Sequence, residues 1–304
     1  MLVDGGRRAH YGDFYTADRS DEPVAVVIGN CQAESLRVLL STSETFPVRA
    51  VRVPPVHELT GDDLPFLRSL LANAVMLATQ PVRDDYRGLP LGTRQLTGLL
   101  PPSAQVVRWP VIRYHGLHPF NAIVRHPLDR SLDPPVVPYH DLRTLTAAAG
   151  LDWRPDLGPR RLRAVAADAV ADLARREEAA GVDVCVSDLL LPAGARAAHT
   201  LNHPGNDVLL GLAHRVQGAF GHTPDARDPG RTLLDSVHAP LIPEVVDALD
   251  LDAAPRPHWV VAHREVDDER VRAAQLAWYA EHPAWVAAGL DRLAHRLALL
   301  AAPG

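Results

Sequence analysis

Short apolar runs alternate with amphipathic stretches in the first half of the chain. Val24–Ile28 is continuously apolar and rich in β-branched residues, which predicts a buried strand of a parallel sheet. Gly29 follows it, and residues 33–40 then place their leucines on one helical face. The alternation continues, predicting strands at 48–53, 74–78 and 104–109 and helices at 63–72 and 90–100. This order predicts an α/β fold with a doubly wound, mostly parallel sheet.

The second half carries apolar residues at helical spacing. We predict helices at 159–180, 207–220, 243–249, 267–279 and 283–300. Many of the 27 prolines fall in the connecting segments of the chain. We therefore divide the chain into an N-terminal tail at 1–22, an α/β domain at 23–145 and a mainly α-helical part at 146–304 that completes the site.

Composition and charge narrow the partners and the location. The 304 residues carry a net charge of −6, which gives no support for a nucleic-acid partner. Residues 1–22 lack the apolar run of a signal peptide, and no stretch is apolar for long enough to span a bilayer. We expect a cytoplasmic protein. Its two cysteines do not suggest a disulfide framework, and the oligomeric state is not fixed by the sequence.

All 31 lysine and arginine residues are arginines, so the chain contains no lysine. This excludes a Schiff base with pyridoxal phosphate, and it excludes the phosphate loop and the kinase site that depend on lysine. Any anionic ligand must then be held by arginine, by backbone amides or by helix N-termini.

The segment Gly29-Asn30-Cys31-Gln32 is the sharpest candidate for chemistry. A thiol at a helix N-terminus is expected to have a lowered pKa, which favours the nucleophilic thiolate. Backbone amides of this turn, with the side chains of Asn30 and Gln32, could bind an oxyanion or a substrate. The alternative is that Cys31 is a small buried apolar residue. We predict that Cys185, inside the apolar run 182–186, belongs to the core.

A cysteine nucleophile usually needs a base, and His203 is the first candidate. It follows Asn202 in a polar segment before a predicted helix, where it could act as base or bind substrate. The alternative is a helix-capping segment. His115 and His118, in the loop after the fourth predicted strand, are the reserve candidates for the base.

The loop after the third predicted strand also carries polar side chains. Gln80 could line an oxyanion pocket, Tyr86 could stack on a base, and Arg83 and Arg87 could hold phosphates. The alternative is a solvated charged loop. We predict no metal site, because the histidine pairs lack a recognised ligand pattern, and the glycine pattern of a dinucleotide site is missing.

These motifs together resemble a known family. Four segments resemble motifs of the WcbI family of capsular-polysaccharide biosynthesis enzymes and occur in the same order: 29–32, 80–93, 182–188 and 200–204. A proline-containing turn follows at 240–243. The resemblance implies a protein that binds coenzyme A and transfers acetyl groups to a sugar, with a fold similar to SGNH esterases. It implies that Cys31 is the reactive thiol and His203 the base. It also assigns Gln80, Tyr86, Arg87 and Asn202 to the pocket.

The leading hypothesis is therefore an O-acyltransferase that uses acetyl-CoA as donor, a sugar or glycan as acceptor, and neither metal nor pyridoxal phosphate. A covalent acetyl-Cys31 intermediate and direct transfer both remain open. The alternatives are an ester or thioester hydrolase with the same site, and a non-catalytic module that binds a nucleotide or a glycan.

Overall fold

The computed structural model describes residues 5–16, 23–129 and 132–302. They form two compact units, each assembled from separated segments of the chain. Unit 1 takes its residues from 1–111, 174–186 and 206–233, and unit 2 from 112–173, 187–205 and 234–304. The two units are defined by which residues pack together, whereas the predicted boundaries at 22 and 145 divide the chain into consecutive segments. Those boundaries stay a prediction.

Unit 1 contains a parallel sheet with the strand order β2-β1-β3-β4. Its strands are β1 (Val24–Ile28), β2 (Arg49–Val51), β3 (Ala74–Thr79) and β4 (Gln105–Arg108). Every residue of β1 is buried, as expected for a central strand covered on both faces. The predicted parallel α/β fold is confirmed.

Helices surround this sheet. The described helices of unit 1 are α1 (Gly5–His10), α2 (Gly12–Thr16), α3 (Cys31–Leu40), α4 (Leu64–Ala72), α5 (Thr93–Thr97) and α8 (Asn206–Ala219), with the end of α7 (Pro159–Ala180). The helix predicted at 90–100 is much shorter than expected. Its start is delayed because the Gly92 N–H is capped by the side chain of Gln95, and Gly98 ends it.

The segment predicted as an N-terminal tail contains α1 and α2, which pack on the rest of unit 1. Phe14 is buried in its core. Asp63, which is also buried, accepts hydrogen bonds from the Arg7 guanidinium at 2.9 Å and from the Tyr15 hydroxyl at 2.7 Å. Residues 1–4 and 17–22 of the tail lie outside the described residues. The part that is described is therefore a folded element.

The predicted helical character of the C-terminal half of the chain is confirmed. The described helices of unit 2 are α6 (Leu142–Ala148), the first part of α7, α9 (Pro243–Leu249), α10 (Asp268–Glu281), α11 (Pro283–Arg292) and α12 (Ala294–Leu300). The single helix predicted at 283–300 is divided at Leu293 into α11 and α12.

Short antiparallel strands complete unit 2. They are β5 (Asn121–Ala122) with β6 (His140–Asp141), β7 (Ala198–Thr200) with β8 (His203–Pro204), and β9 (Val237–His238), β10 (Trp259–Val261) and β11 (Arg264–Val266). Strands of two or three residues are too short to produce a recognisable alternation in the sequence. Across the described parts of both units, no helix combines the length and the apolar surface that crossing a bilayer requires.

Candidate functional site

Cys31 is the first residue of α3, directly beyond the carboxyl end of β1. Asn30 caps this helix, and its Oδ1 accepts the Gln32 N–H at 2.9 Å. The end of β3 lies beside it, because Ile28 pairs with Thr79 and the Gln80 N–H donates to the Ile28 carbonyl at 2.9 Å. Loops at the carboxyl ends of parallel strands are where open α/β sheets bind their ligands.

Gln80 fixes the turn before Cys31. Its Oε1 accepts the Asn30 N–H at 2.8 Å, and its Nε2 donates to Gln32 Oε1 at 3.1 Å and to the Pro110 carbonyl at 3.3 Å. A Cβ on Gly29 would lie 2.6 Å from Gln80 Oε1, so only glycine permits this approach. The side-chain amide of Gln80 is therefore engaged in holding the backbone, with both of its N–H bonds used.

These contacts reduce the number of N–H groups that remain available to bind an oxyanion. The Asn30 and Gln32 N–H groups already serve side-chain oxygens of the turn. Asn30 Nδ2 has no hydrogen-bond partner among the described residues, although its Oδ1 is held by the cap. A donor that is fixed in position and still unoccupied is suited to meet a developing negative charge. The side chain of Asn30 is thus an open donor next to Cys31.

The Cys31 thiol has a raised pKa, of about 11, where the sequence predicted a lowered one. Burial is the main cause, and the Glu58 carboxylate adds to it. The N–H groups of Cys31 and Gln32 do lower the pKa, as expected at a helix N-terminus, but burial outweighs them. The expectation of a ready thiolate was wrong for this state of the protein.

The loop after β2 brings two residues to this turn that the sequence analysis missed. The Val56 N–H donates to the Gly29 carbonyl at 2.8 Å, and His57 and Glu58 follow directly. Glu58 Oε2 also accepts the Tyr11 hydroxyl at 3.3 Å. The signal was available, because the carboxyl end of the predicted strand 48–53 lies at the same edge of the sheet. His57 is a titratable side chain in the same unit as Cys31.

Arg83 lines a cavity of about 680 Å³ in unit 1, together with Arg94 and Arg108. Arg94 is bound to Asp84, and Arg108 is paired with the Asp183 carboxylate at 3.0 Å. Arg83 is exposed and has no carboxylate partner within the part of the chain that the structure describes. It is therefore the guanidinium group of this cavity that is open to an anion.

Tyr86 and Arg87 do not line that cavity. Tyr86 is partly buried and packs against the core of unit 1. Arg87 has a left-handed backbone, with φ of 56°, and its guanidinium donates to the His57 carbonyl at 2.7 Å. The two arginines predicted to hold phosphates thus differ. Arg83 is open to an anion, whereas Arg87 supports the loop that carries His57.

His203 lies in unit 2, where the residues around it form a hydrogen-bonded network. The Tyr139 hydroxyl donates to Asn202 Oδ1 at 2.8 Å and contacts Thr200 Oγ1 at 2.9 Å. The Tyr139 ring meets the imidazole of His203 edge to face, with centroids 6.5 Å apart. The side-chain oxygen of Asn202 is thus an acceptor for the Tyr139 hydroxyl.

Four histidines of unit 2 form one group, which we call the histidine cluster: His118, His199, His203 and His238. The pKa values of His118, His199 and His203 are lowered to about 4 each, mainly by burial and in part by the proximity of His238. His118 Nδ1 meets the Pro240 carbonyl at 2.9 Å, whereas the rings of His199 and His238 lie at a tilt of 41° with centroids 4.3 Å apart. The imidazoles of His118, His199 and His203 are therefore neutral at pH 7, and His203 is able to accept a proton.

His115 is half-buried in the same unit. Within the described ranges, no group of three or more histidine, cysteine or acidic side chains is arranged to hold a metal ion. Cys31 belongs to unit 1 and the histidine cluster to unit 2. Their predicted partnership as nucleophile and base stays a prediction, as do the roles predicted for the other site residues.

Cys185 is exposed, contrary to the predicted place in the core. The neighbouring Val184 and Val186 are both buried, with 6% and 0% of their surface exposed. Burial therefore alternates between neighbouring residues of this run. The thiol falls on the solvent side of that alternation.

A sequence profile of the family described as polysaccharide biosynthesis enzyme WcbI matches residues 24–225. The chain belongs to the WcbI family. The matched range includes both the turn at Cys31 and the segment at Asn202 and His203. Members of this family are named as polysaccharide biosynthesis enzymes, and no curated protein matches the chain.

A solved structure of a WcbI-family protein is similar to this chain. That protein is described as WcbI, a novel polysaccharide biosynthesis enzyme, in its native form without a disulfide bond between coenzyme A and one of its cysteines. The two chains are 22% identical and superpose with a TM-score of 0.76, covering 91% of this chain and 98% of the other. At this identity the likeness shows that the fold is shared.

Proposed function

We propose that this WcbI-family protein transfers an acyl group from a coenzyme A thioester to a sugar hydroxyl during polysaccharide assembly. The observation that supports it most is the turn at Cys31. A thiol at the first residue of α3 lies beside an amide donor, Asn30 Nδ2, that has no partner among the described residues. Acyl transfer needs a donor of this kind, held in place before the reaction, where the carbonyl oxygen becomes negative.

Coenzyme A is the proposed donor of the acyl group. In the similar solved protein, coenzyme A and a cysteine are the two partners of the disulfide bond that its native form lacks. We assign Cys31 as the corresponding residue, so that the thiol end of the coenzyme would lie at the start of α3. The phosphates would be met by Arg83, the open guanidinium of its cavity, because the chain has no lysine to offer.

The reaction balances without any other reactant. The acceptor hydroxyl attacks the thioester carbonyl, a C–O bond forms, and the C–S bond breaks to release the coenzyme. A histidine takes the hydroxyl proton and returns it to the departing thiolate. His203 is the predicted base, and His57 is the alternative that lies in the same unit as Cys31. Asn30 Nδ2 would donate to the oxyanion.

The raised pKa of Cys31 supports direct transfer over an acetyl-Cys31 intermediate. With a pKa of about 11, only about one thiol in ten thousand is ionised at pH 7. The thiolate is the nucleophilic form, so the thiol would contact the donor without attacking it. Intact-protein mass spectrometry after rapid quenching tests this in a Cys185→Ser background, which removes the exposed cysteine. We expect no acetyl adduct, and an adduct on Cys31 would establish the covalent route instead.

The overall proposal is tested by turnover. The protein is incubated with acetyl-CoA and a panel of neutral glycosides, and released coenzyme A, free acetate and acetylated sugar are measured. Asn30→Ala should lower the rate by about 100-fold because it removes the oxyanion donor. The matched control is Asn73→Ala, an exposed asparagine at the end of α4. Acetate as the sole product would identify a hydrolase.

A binding module without turnover is the second candidate, favoured by the protonated state of Cys31. It predicts that Cys31→Ala keeps its affinity for coenzyme A and that no acyl donor is consumed. Thermal unfolding with coenzyme A, acetyl-CoA and unrelated nucleotides gives the first comparison. A midpoint that neither coenzyme species raises would overturn both candidates.

A further inference from the structure

A second cavity lies within unit 2, between α6, α10 and the aromatic residues that precede and follow them. We call it the α6–α10 cavity. Its volume of about 370 Å³ falls within the range of small-molecule sites, about 300–1,000 Å³. It is distinct from the turn at Cys31, and the proposed acyl transfer assigns no role to its residues.

Gln275 is one of the lining residues of this cavity, and it carries an unsatisfied polar atom. The side chain is 1% exposed, and its Nε2 donates to the Tyr139 carbonyl at 2.7 Å. Its Oε1 is buried without a hydrogen-bond partner among the described residues. Rotating the amide would point Oε1 at a carbonyl oxygen, so the orientation is fixed. A buried acceptor without a partner is unfavourable unless a ligand supplies a donor.

Aromatic surface is the second component of the lining. Trp259 stacks on Tyr139 with centroids 5.9 Å apart, and its Nε1 donates to Asp268 at 2.8 Å. Trp153 is half-buried, and its Nε1 donates to the Leu297 carbonyl at 3.2 Å. Both indole N–H groups are used, and Trp153, the less buried of the two, offers the cavity apolar ring surface. Such surface fits the C–H face of a pyranose ring.

The charges of the lining select against anions. Three carboxylates, of Asp141, Asp268 and Glu269, face two guanidinium groups, of Arg143 and Arg272. Arg143 contacts Asp141 at 2.7 Å and Asp268 at 3.3 Å, so its charge is already compensated. A phosphate or uronate would meet an excess of negative charge. Hydroxyl groups, which both donate and accept, can pair with carboxylates and guanidinium groups alike.

We propose that the α6–α10 cavity binds one neutral pyranose unit of a glycan, with Gln275 Oε1 accepting a sugar hydroxyl and Trp153 contacting the ring. As the subsite for the acyl acceptor, this cavity rests on the proposed function. As a carbohydrate site it stands on its own contacts, because its acceptor atom, ring surfaces and charges all lie within unit 2.

Saturation-transfer difference NMR on the full chain tests the proposal without coenzyme A. The probes are the methyl α-glycosides of glucose, mannose and galactose, compared with glucose 1-phosphate and methyl glucuronide. We expect at least one neutral glycoside to saturate with a Kd on the order of 1 mM, and the anionic probes to bind about tenfold more weakly. No saturation by any neutral glycoside would overturn the proposal, as would tighter binding of the anions.

Variants locate the site. Gln275→Leu should weaken the binding of the neutral glycoside by about tenfold or more, because it removes the acceptor. It also removes the bond to Tyr139, so Arg272→Ala, at the exposed rim, is the second variant and should weaken binding in the same direction. Gln95→Leu, in unit 1, is the control and should bind as the native protein does. Unchanged binding in both Gln275→Leu and Arg272→Ala would overturn the assignment to this cavity.

The outcomes separate this proposal from the proposed function. Glycoside binding that the variants weaken, in a protein that consumes no acyl donor, would overturn acyl transfer and leave the carbohydrate site intact. If the protein transfers an acyl group to a neutral glycoside at a rate that Arg272→Ala leaves unchanged, acyl transfer is supported and the carbohydrate site in the α6–α10 cavity is overturned.

Discussion

The buried polar groups at Cys31 and those of the histidine cluster are satisfied to different degrees. In unit 1, Gln80 uses its oxygen and both of its amide hydrogens to hold one turn. In unit 2, His199 Nε2 is buried and has no hydrogen-bond partner in the described residues, and His203 Nδ1 forms no hydrogen bond of normal geometry. The first region is a fixed support, whereas the second keeps neutral imidazoles available at a cost in stability.

Lowering the pH should have the largest effect, because it destabilises the histidine cluster and not the turn at Cys31. His118, His199 and His203 have folded pKa values of about 4, below the usual 6.5, because of burial. The unfolded chain therefore binds more protons between pH 6.5 and 4, and stability falls as the pH falls through that window. From pH 7 to pH 5 each of the three should contribute a loss of about 2 kcal/mol in the free energy of unfolding.

His199→Phe isolates one member of the cluster. Its ring faces His238, Asp235, His203 and His118. Urea unfolding at pH 7 and pH 5 should show that this variant loses about 2 kcal/mol less than the native protein over that range. His295→Gln, at an exposed histidine, should change the pH dependence little. Equal pH dependence in all three proteins would mean that the cluster does not exclude protons.

Gln80→Leu tests the support at Cys31. It leaves the Asn30 N–H, Gln32 Oε1 and the Pro110 carbonyl without their partner in a buried place, and we expect a loss of about 3 kcal/mol in the free energy of unfolding. Unlike that of His199→Phe, this effect should be independent of pH between 5 and 7.

Gln95→Leu is the matched control for that prediction. Gln95 also makes three hydrogen bonds in unit 1, to the N–H groups of Asp85 and Gly92 and to the Asp85 carboxylate, but in a more exposed place. Water can replace those partners, so the loss should stay below about 1 kcal/mol. Similar losses in both variants would show that burial does not set the strength of the support.

Arg83→Gln should have the smallest effect, and on affinity alone. Because Arg83 has no carboxylate partner in the described residues, its removal should leave stability unchanged and raise the Kd for coenzyme A by about tenfold. Isothermal titration calorimetry with coenzyme A measures the change. Arg87→Gln should alter affinity less, since Arg87 is engaged with the His57 carbonyl. The opposite order would assign the phosphates to Arg87.

The elements with strong patterns were predictable from the sequence. The bounds of β1, α7 and α9 agree with the prediction to the residue, because a β-branched run or an initial proline marks them. The position of Cys31 at the start of α3 also followed from strand, glycine and apolar helix face. These signals are local, and local patterns carry over to the fold when packing does not oppose them.

The rest depended on contacts between distant residues. That Gln80 would use its whole amide on the Cys31 turn cannot be read from a single position, since it arises from partners 30 to 50 residues away. The pKa of Cys31 followed from burial, which opposed the helix N-terminus. The open Oε1 of Gln275 likewise appears only when α10 packs beside Tyr139.

The two cysteines offer a built-in pair of chemical labels. Cys185 is exposed, whereas Cys31 is partly buried and holds its proton tightly. A maleimide dye at neutral pH should therefore mark Cys185 first, giving a fluorescent reporter at one defined position. Once Cys185 is labelled, the slow rate of alkylation at Cys31 measures how accessible the turn at the start of α3 is. Any ligand that covers the start of α3 would lower that alkylation rate. The occupancy of the ligand could therefore be followed without a radioactive or coloured substrate.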